Sequence, residues 1–163
     1  MTAWLPAYIG IGSNVDGPRA QVLTAFDALA QIPQTLLVAR SPLYSTRPHG
    51  PVAQDDFVNA AAGLLTQLDA AQLLQQLRAI ETARGRRREQ RWGPRNIDLD
   101  LLVFADQRID TPELTVPHPG IVERNFVLYP LADIAPQLQV PGVGRVADLK
   151  ERVDPAGIAA LAA

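Results

Sequence analysis

Asp98 and Asp100 stand two residues apart in an apolar run, Ile97-Asp98-Leu99-Asp100-Leu101-Leu102. In an extended chain residues i and i+2 share one face, roughly 6–7 Å apart along the strand. The spacing therefore aims both carboxylates the same way and turns Ile97, Leu99 and Leu101 into a core. Two carboxylates on a rigid strand offer a seat to one or two hard cations, which take oxygen ligands. Just before them lies a basic, turn-forming segment, with six arginines against one glutamate between Arg84 and Arg95 and a turn at Gly93-Pro94. Guanidinium groups so placed suit phosphate, the anion that commonly accompanies such cations. Asp-X-Asp alone is usually a solvated strand face, and an arginine cluster alone a solvated or nucleic-acid-facing patch. Their adjacency is what favours a phosphate–metal site.

The chain has 163 residues, which fits one domain over 1–163 with an ordered core expected at about 7–153. A net charge of −2 makes the basic character local, which argues against general attraction to nucleic acid or membrane. The absence of cysteine excludes disulfides and thiolate metal sites, in keeping with a cytoplasmic setting. The opening Met1-Thr2-Ala3-Trp4-Leu5-Pro6 has no basic n-region and no long apolar core, so no signal peptide is expected. No apolar run approaches the roughly 20 residues of a membrane span. No long exposed apolar patch is evident, and a monomer is expected. Lys150 is the one lysine against fourteen arginines, and no mechanism follows from that.

The elements that must position these residues follow from periodicity. Ala7 to Gly12 reads as a first strand, leaving through Gly12-Ser13-Asn14. Gly10 and Gly12 lack the third glycine of a dinucleotide loop, no P-loop is present, and the pair reads as room for a close neighbour. Pro18 opens a helix to Ile32 with Val22, Phe26 and Leu29 on one face. Thr35 to Tyr44 is expected to be a second strand, and Arg47 to Asp56 a long exposed loop containing His49. Phe57 to Leu65 resumes the sheet, with Phe57 and Asn59 on one face. Asp69 and Gln72 form a capping box ahead of a helix striped by Leu73, Leu77 and Ile80, with Gly85 as its stop. Glu81 lies towards the buried side of that helix and needs a donor, structural or ligand. Strand Ile97–Phe104 follows, then a turn at 105–107 and a short return strand near Arg108-Ile109. His118 is held between Pro117 and Pro119. A short helix is expected from Ile121 to Tyr129, a last one near Val146–Val153, and a frayed end from Ala156. The order strand–helix–strand–strand–helix–strand predicts an α+β fold: a ferredoxin-like βαββαβ core, a mainly antiparallel sheet with helices packed on it, and C-terminal additions. That architecture hosts many functions.

Arg91-Trp92-Gly93-Pro94-Arg95-x-x-Asp98-Leu99-Asp100-Leu101-Leu102 closely resembles the signature of the bacterial 6-hydroxymethyl-7,8-dihydropterin pyrophosphokinases of folate biosynthesis. Tyr8-Ile9-x-Ile11-Gly12-Ser13-Asn14 is similar to that family's opening strand, and Phe57-x-Asn59-Ala60-Ala61 to its third-strand segment. Leu114-Thr115-Val116-Pro117-His118 and Arg124-x-Phe126 resemble its later nucleotide and pterin elements. Order and spacing agree over roughly residues 7 to 140.

The resemblance implies transfer of the β,γ-pyrophosphoryl group of ATP to the hydroxymethyl oxygen of 6-hydroxymethyl-7,8-dihydropterin, with AMP leaving. It implies two Mg²⁺ ions held by Asp98 and Asp100, with Asp98 also near the pterin. Arg86, Arg88 and Arg95 are implied as catalytic phosphate contacts. Arg86, Arg88, Trp92, Arg95, Leu101, Leu114, Thr115, His118 and Arg124 are implied around the nucleotide. Phe57 and Phe126 would sandwich the pterin, Asn59 would read its polar edge, and Thr46 would add backbone contacts. Trp92 and the loops Arg47–Asp56 and Gly85–Arg95 would close over the substrates. The chain departs from the family at Arg47 and His49, where relatives often have proline and an aliphatic residue. Phe57 stands where some have tyrosine, and the basic loop is one residue shorter and lacks a common lysine. Glu81 matches a family glutamate for which no role is assigned. Two other readings compete. An RNA-binding module would need exposed aromatics where the central strand offers aspartates. A different metal-dependent nucleotidyltransferase would release pyrophosphate rather than AMP.

Overall fold

The computed structural model describes residues 3–15, 17–47, 55–84 and 97–162. Strand β1 (Leu5–Ser13) alternates between two covered faces and lies inside the sheet, with a paired strand on each side. Helix α1 (Pro18–Ala30) follows, with Pro18 at its first turn. Strands β2 (Thr35–Arg40), β3 (Tyr44–Thr46) and β4 (Phe57–Thr66) come next, then α2 (Ala70–Ala83) and β5 (Asp98–Phe104). The sheet is antiparallel, in the order β3–β4–β1–β5, with β2 beside β3 along the same edge of β4.

The two faces bury different cores. Ile9, Ile11, Leu64, Leu99, Leu101 and Phe104 point to one side, where Val22, Phe26 and Leu29 of α1 and Leu73 and Leu77 of α2 cover them. Ala61, Leu102 and Val103 point to the other side, beneath α3 (Asn125–Ile134) and α4 (Val146–Arg152). The expected capping box holds α2: Asp69 Oδ1 accepts the Gln72 N–H at 2.8 Å, and Gln72 Oε1 accepts the Asp69 N–H at 2.9 Å. A register shift between β1 and β5 beside Tyr8 and Ile9 puts both Leu102 and Val103 in the second core, interrupting strict alternation.

Four expectations need correction. The strand expected over Thr35–Tyr44 is two strands, because Pro42 has no N–H for the ladder. Ser41 bridges the gap instead: its N–H reaches the Ala61 carbonyl at 2.9 Å, and its Oγ accepts the Ala61 N–H at 2.8 Å. The helix expected over Ile121–Tyr129 is a 3-10 turn (Ile121–Glu123) followed by α3, which continues through a buried Pro130. That ring removes the hydrogen bond that would go to the Phe126 carbonyl. The return strand, β6 (Ile109–Asp110), pairs not with β5 but with β7 (Thr115–Val116) in a separate ribbon. The end is not frayed: β10 (Ile158–Ala160) pairs with β3 and extends the sheet beyond the expected core boundary. A small hairpin of β8 (Gln139–Val140) and β9 (Gly144–Arg145), not read from the sequence, precedes α4. Among the described residues no helix is long and apolar enough to cross a membrane.

Candidate active site

The two aspartates open β5 and point away from the first core. Ile97, Leu99 and Leu101 are buried on the opposite side, as their spacing requires. In β1, Gly12 lies opposite Asp98 and Gly10 opposite Asp100. On the other flank of β1, Gly12 lies opposite Asn59 of β4. Directly opposed residues in an antiparallel sheet project to the same side. Asp98, Gly12 and Asn59 thus form one row across three strands, on the face that also carries α3. Gly12 keeps the row open: a Cβ there would sit 2.8 Å from Asn59 Nδ2 and 3.8 Å from Phe57 Cδ1.

Asn59 is 7% exposed and held from two sides. Its Nδ2 donates to the Ile11 carbonyl at 3.3 Å, and its Oδ1 accepts from Thr46 Oγ1 at 2.5 Å. Thr46 in turn lies opposite Phe57 in the β3–β4 pairing. The amide keeps donor and acceptor capacity beyond these two bonds. A fixed amide beside the half-buried Phe57 ring can read the edge of a flat heterocycle while the ring covers its face.

The charged side of the site is tightly interlocked. Asp100 has its carboxyl raised to about 7, first by burial and then by the negative charge of Asp98. Arg124 and Arg78 pull in the opposite direction, and Glu81 adds to the rise. His118 is lowered to about 4 by burial and by Arg124, against the pull of Asp98. Its Nδ1 accepts the Gly120 N–H at 3.1 Å, so the proton of the neutral ring sits on Nε2. The ring is anchored by its backbone, whose N–H reaches the Leu102 carbonyl of β5 at 2.9 Å. Arg124 precedes α3, its carbonyl accepting the Val127 and Leu128 N–H groups at 3.0 Å, while its side chain lies over the Phe126 ring at 5.7 Å and packs on Gly120, where a Cβ would meet its Nε at 2.6 Å. One face therefore gathers Asp98, Asp100, His118, Arg124 and Phe126 next to Phe57, Asn59 and Thr46.

Other expected residues stand differently. Leu101 is 3% exposed and its side chain lies in the first core, away from that face. Its backbone is another matter, since β5 ends the sheet and alternation turns the Leu101 N–H and C=O to the open edge, as for Leu99. Leu114 packs partly against the first core, and Thr115 is exposed in the β6–β7 ribbon. Arg86, Arg88, Trp92 and Arg95 lie outside the described residues, as do His49 and most of both expected lid loops. The sequence pointed to Glu81 without naming its partners. It is 2% exposed, and it pairs with Arg78 and with the backbone of Leu99. Arg78, one helical turn earlier, carried no signal of its own.

The donor set fits a small hard cation. Among the described residues no group of three or more His, Cys, Asp or Glu side chains converges. From the described residues a cation between Asp98 and Asp100 would therefore have two carboxylates, and substrate and water can complete its oxygens, as they commonly do for magnesium. Burial raises Asp100 first and the repulsion of Asp98 second, and a cation would relieve the repulsion.

Comparison with known proteins narrows this arrangement. Residues 8–136 match the family model described as 7,8-dihydro-6-hydroxymethylpterin-pyrophosphokinase (HPPK). The 2-amino-4-hydroxy-6-hydroxymethyldihydropteridine pyrophosphokinase of Pseudomonas aeruginosa is 52% identical over 134 residues, covering 82% of this chain and 83% of that protein. The enzyme of the same name from Methylorubrum extorquens is 43% identical over 152 residues, covering 93% and 96%. The wild-type HPPK-DHPS of Plasmodium falciparum, solved with pteroate, superposes with a TM-score of 0.75 at 15% identity. That match covers 93% of this chain and 43% of the other, so this chain spans less than half of that protein's length and shares its fold.

These matches make the chain a transferase of the kinase class that acts on a pterin. It belongs to the 7,8-dihydro-6-hydroxymethylpterin-pyrophosphokinase family, and it transfers a pyrophosphoryl group to hydroxymethyldihydropterin in folate biosynthesis. The RNA-binding alternative is left without support.

Proposed function

We propose that the Asp98/Asp100 face is where ATP and 6-hydroxymethyl-7,8-dihydropterin meet, and that Asp98 and Asp100 hold two Mg²⁺ ions there. The observation that carries this reading is the row Asp98–Gly12–Asn59. With Asp100 two residues on, it sets two carboxylates beside a fixed amide and a ring on one face of the sheet. Bound magnesium would supply charge neutralisation on the phosphate oxygens.

The chain's own residues then divide the work. Phe57 and Phe126 cover the two faces of the pterin, Asn59 reads its amide-like edge, and Thr46 holds Asn59 in place and adds backbone contacts. Asp98 keeps the hydroxymethyl end near the polyphosphate. His118 offers a neutral Nε2–H donor to a phosphate oxygen, and Arg124 supplies a full positive charge beside it. Leu101, through its edge-facing backbone, together with Leu114 and Thr115, lines the nucleoside. Arg86, Arg88 and Arg95 contact the phosphates and stabilise charge developing in transfer, where one such donor is commonly worth about 3 kcal/mol. Trp92 and the segments 47–56 and 85–95 close over the bound pair and exclude water. In the transfer, the pterin hydroxymethyl oxygen bonds to the β-phosphorus, and its proton passes to a phosphate oxygen and from there to solvent. The bond from that phosphorus to the α,β-bridging oxygen breaks, and AMP leaves with the oxygen.

The same reading takes the core as ferredoxin-like, with β6 to β10, α3 and α4 as C-terminal additions. The order β2/β3–β4–β1–β5 with α1 and α2 on one side supports it. We also read the chain as one domain acting as a cytoplasmic monomer on small molecules, which light scattering tests. The decisive assay for the reaction is product analysis after incubation with ATP, Mg²⁺ and the pterin alcohol. Equal amounts of AMP and pterin pyrophosphate are expected, whereas ADP or free pyrophosphate would overturn the proposal.

A further inference from the structure

Leu99 lies between the two aspartates, and both of its peptide groups are gripped from outside the sheet. Glu81 Oε2 accepts the Leu99 N–H at 2.8 Å. Arg78 Nη1 donates to the Leu99 carbonyl at 2.9 Å, and the same nitrogen donates to Glu81 Oε1 at 2.8 Å. The N–H belongs to the peptide plane shared with Asp98, and the carbonyl to the plane shared with Asp100. Two residues one turn apart on α2 thereby hold the two planes from which both carboxylates project.

Covering a strand edge does not by itself call for buried charge. A neutral acceptor would satisfy the Leu99 N–H, whereas Glu81 brings a third carboxylate up to the strand of Asp98 and Asp100 at 2% exposure. Arg78 answers it with a guanidinium nitrogen 2.8 Å from Glu81 Oε1, and that same nitrogen holds the Leu99 carbonyl. We propose that Arg78 and Glu81 form a positioning clamp for the cation-binding strand. They fix the aim of Asp98 and Asp100 without touching substrate. The inference rests on the reading of Asp98 and Asp100 as cation ligands.

The test measures Mn²⁺ binding by electron paramagnetic resonance, with a non-hydrolysable ATP analogue present, in Arg78→Met, Arg78→Lys and Asp100→Asn. Thermal unfolding and pterin affinity are measured on the same preparations. Arg78→Met keeps most of the aliphatic stem but loses both hydrogen bonds. It is expected to weaken Mn²⁺ binding about ten- to hundredfold, the range typical of residues that orient metal ligands. Pterin affinity is expected to stay within about threefold of wild type, because the metal side alone is misaimed. Arg78→Lys is expected to recover most of the loss, since one nitrogen makes both bonds and an ammonium can replace it. Unchanged Mn²⁺ binding in Arg78→Met with loss in Asp100→Asn would overturn the clamp and leave the cation site standing. Unchanged binding in Asp100→Asn would overturn the cation site and the clamp with it. A lowered melting point with both ligands weakened equally, or an Arg78→Lys as poor as Arg78→Met, would reduce the pair to structural support and also overturn the proposal.

Discussion

Asp100→Asn is expected to stabilise the metal-free protein while removing its function, and by an amount that depends on pH. Asp100 has its folded value raised from 3.8 to about 7 by burial and by Asp98. A group raised on folding contributes stability that is fully present below its unfolded value and is lost as pH rises through the folded one. Above that point the native state carries an ionised carboxylate that it would rather keep protonated. At about 1.36 kcal/mol per unit the whole penalty is at most about 4 kcal/mol, and some three fifths of it develops between pH 5 and pH 8. Asparagine keeps the shape and polarity and carries no charge at any pH. Urea unfolding of both proteins in a chelator should therefore show the stability of Asp100→Asn relative to wild type growing by about 2.5 kcal/mol from pH 5 to pH 8. His118 titrates in both proteins, so its contribution largely drops out of the difference. A difference that is the same at both pH values, or that shrinks towards pH 8, would refute the electrostatic reading of the site.

Three further outcomes follow from the geometry. His118 should titrate near 4 rather than 6.5 and carry its proton on Nε2 at neutral pH; nitrogen chemical shifts across a pH series check this, and a midpoint at 6.5 or above contradicts it. Gly12→Ala should lower kcat/KM for the pterin about ten- to hundredfold with nucleotide affinity retained, because the added Cβ meets an Asn59 amide already fixed by Ile11 and Thr46. Removing residues 154–163 should cost on the order of 1–3 kcal/mol of stability and weaken pterin binding more than nucleotide binding. That segment holds β3 through Arg47 and Leu43 and receives both donations of Asn125, the neighbour of Phe126. Calorimetry with each ligand separately reads the last outcome, and equal affinities in the truncated and full chains would contradict it.

What was legible in the sequence is what short-range periodicity determines. The common aim of Asp98 and Asp100 followed from a spacing of two, and the burial of Glu81 from a spacing of four after Leu77. The partner of Glu81 did not, because Leu99 is eighteen residues away and is reached only when α2 lies along the edge of β5. Proline misled in both directions. Pro42 broke a strand that Ser41 then bridged with its side chain, whereas Pro130 failed to stop a helix whose apolar face was already buried. The last strand was hidden because its pairing depends on backbone bonds to β3 and not on its alanines, two of which remain exposed. Nor could the sequence say that α3 and α4 cover the face bearing the aspartates. That placement brings Arg124 and Phe126 to them, and it depends on contacts between segments far apart in the chain.

The most direct measurement of the central claim is an anomalous difference map from crystals grown with Mn²⁺, a non-hydrolysable ATP analogue and the pterin. Peaks are predicted within coordinating distance of the Asp98 and Asp100 carboxylates, with the pterin stacked between Phe57 and Phe126. Manganese bound elsewhere, or a nucleotide seated away from this face, would contradict the account.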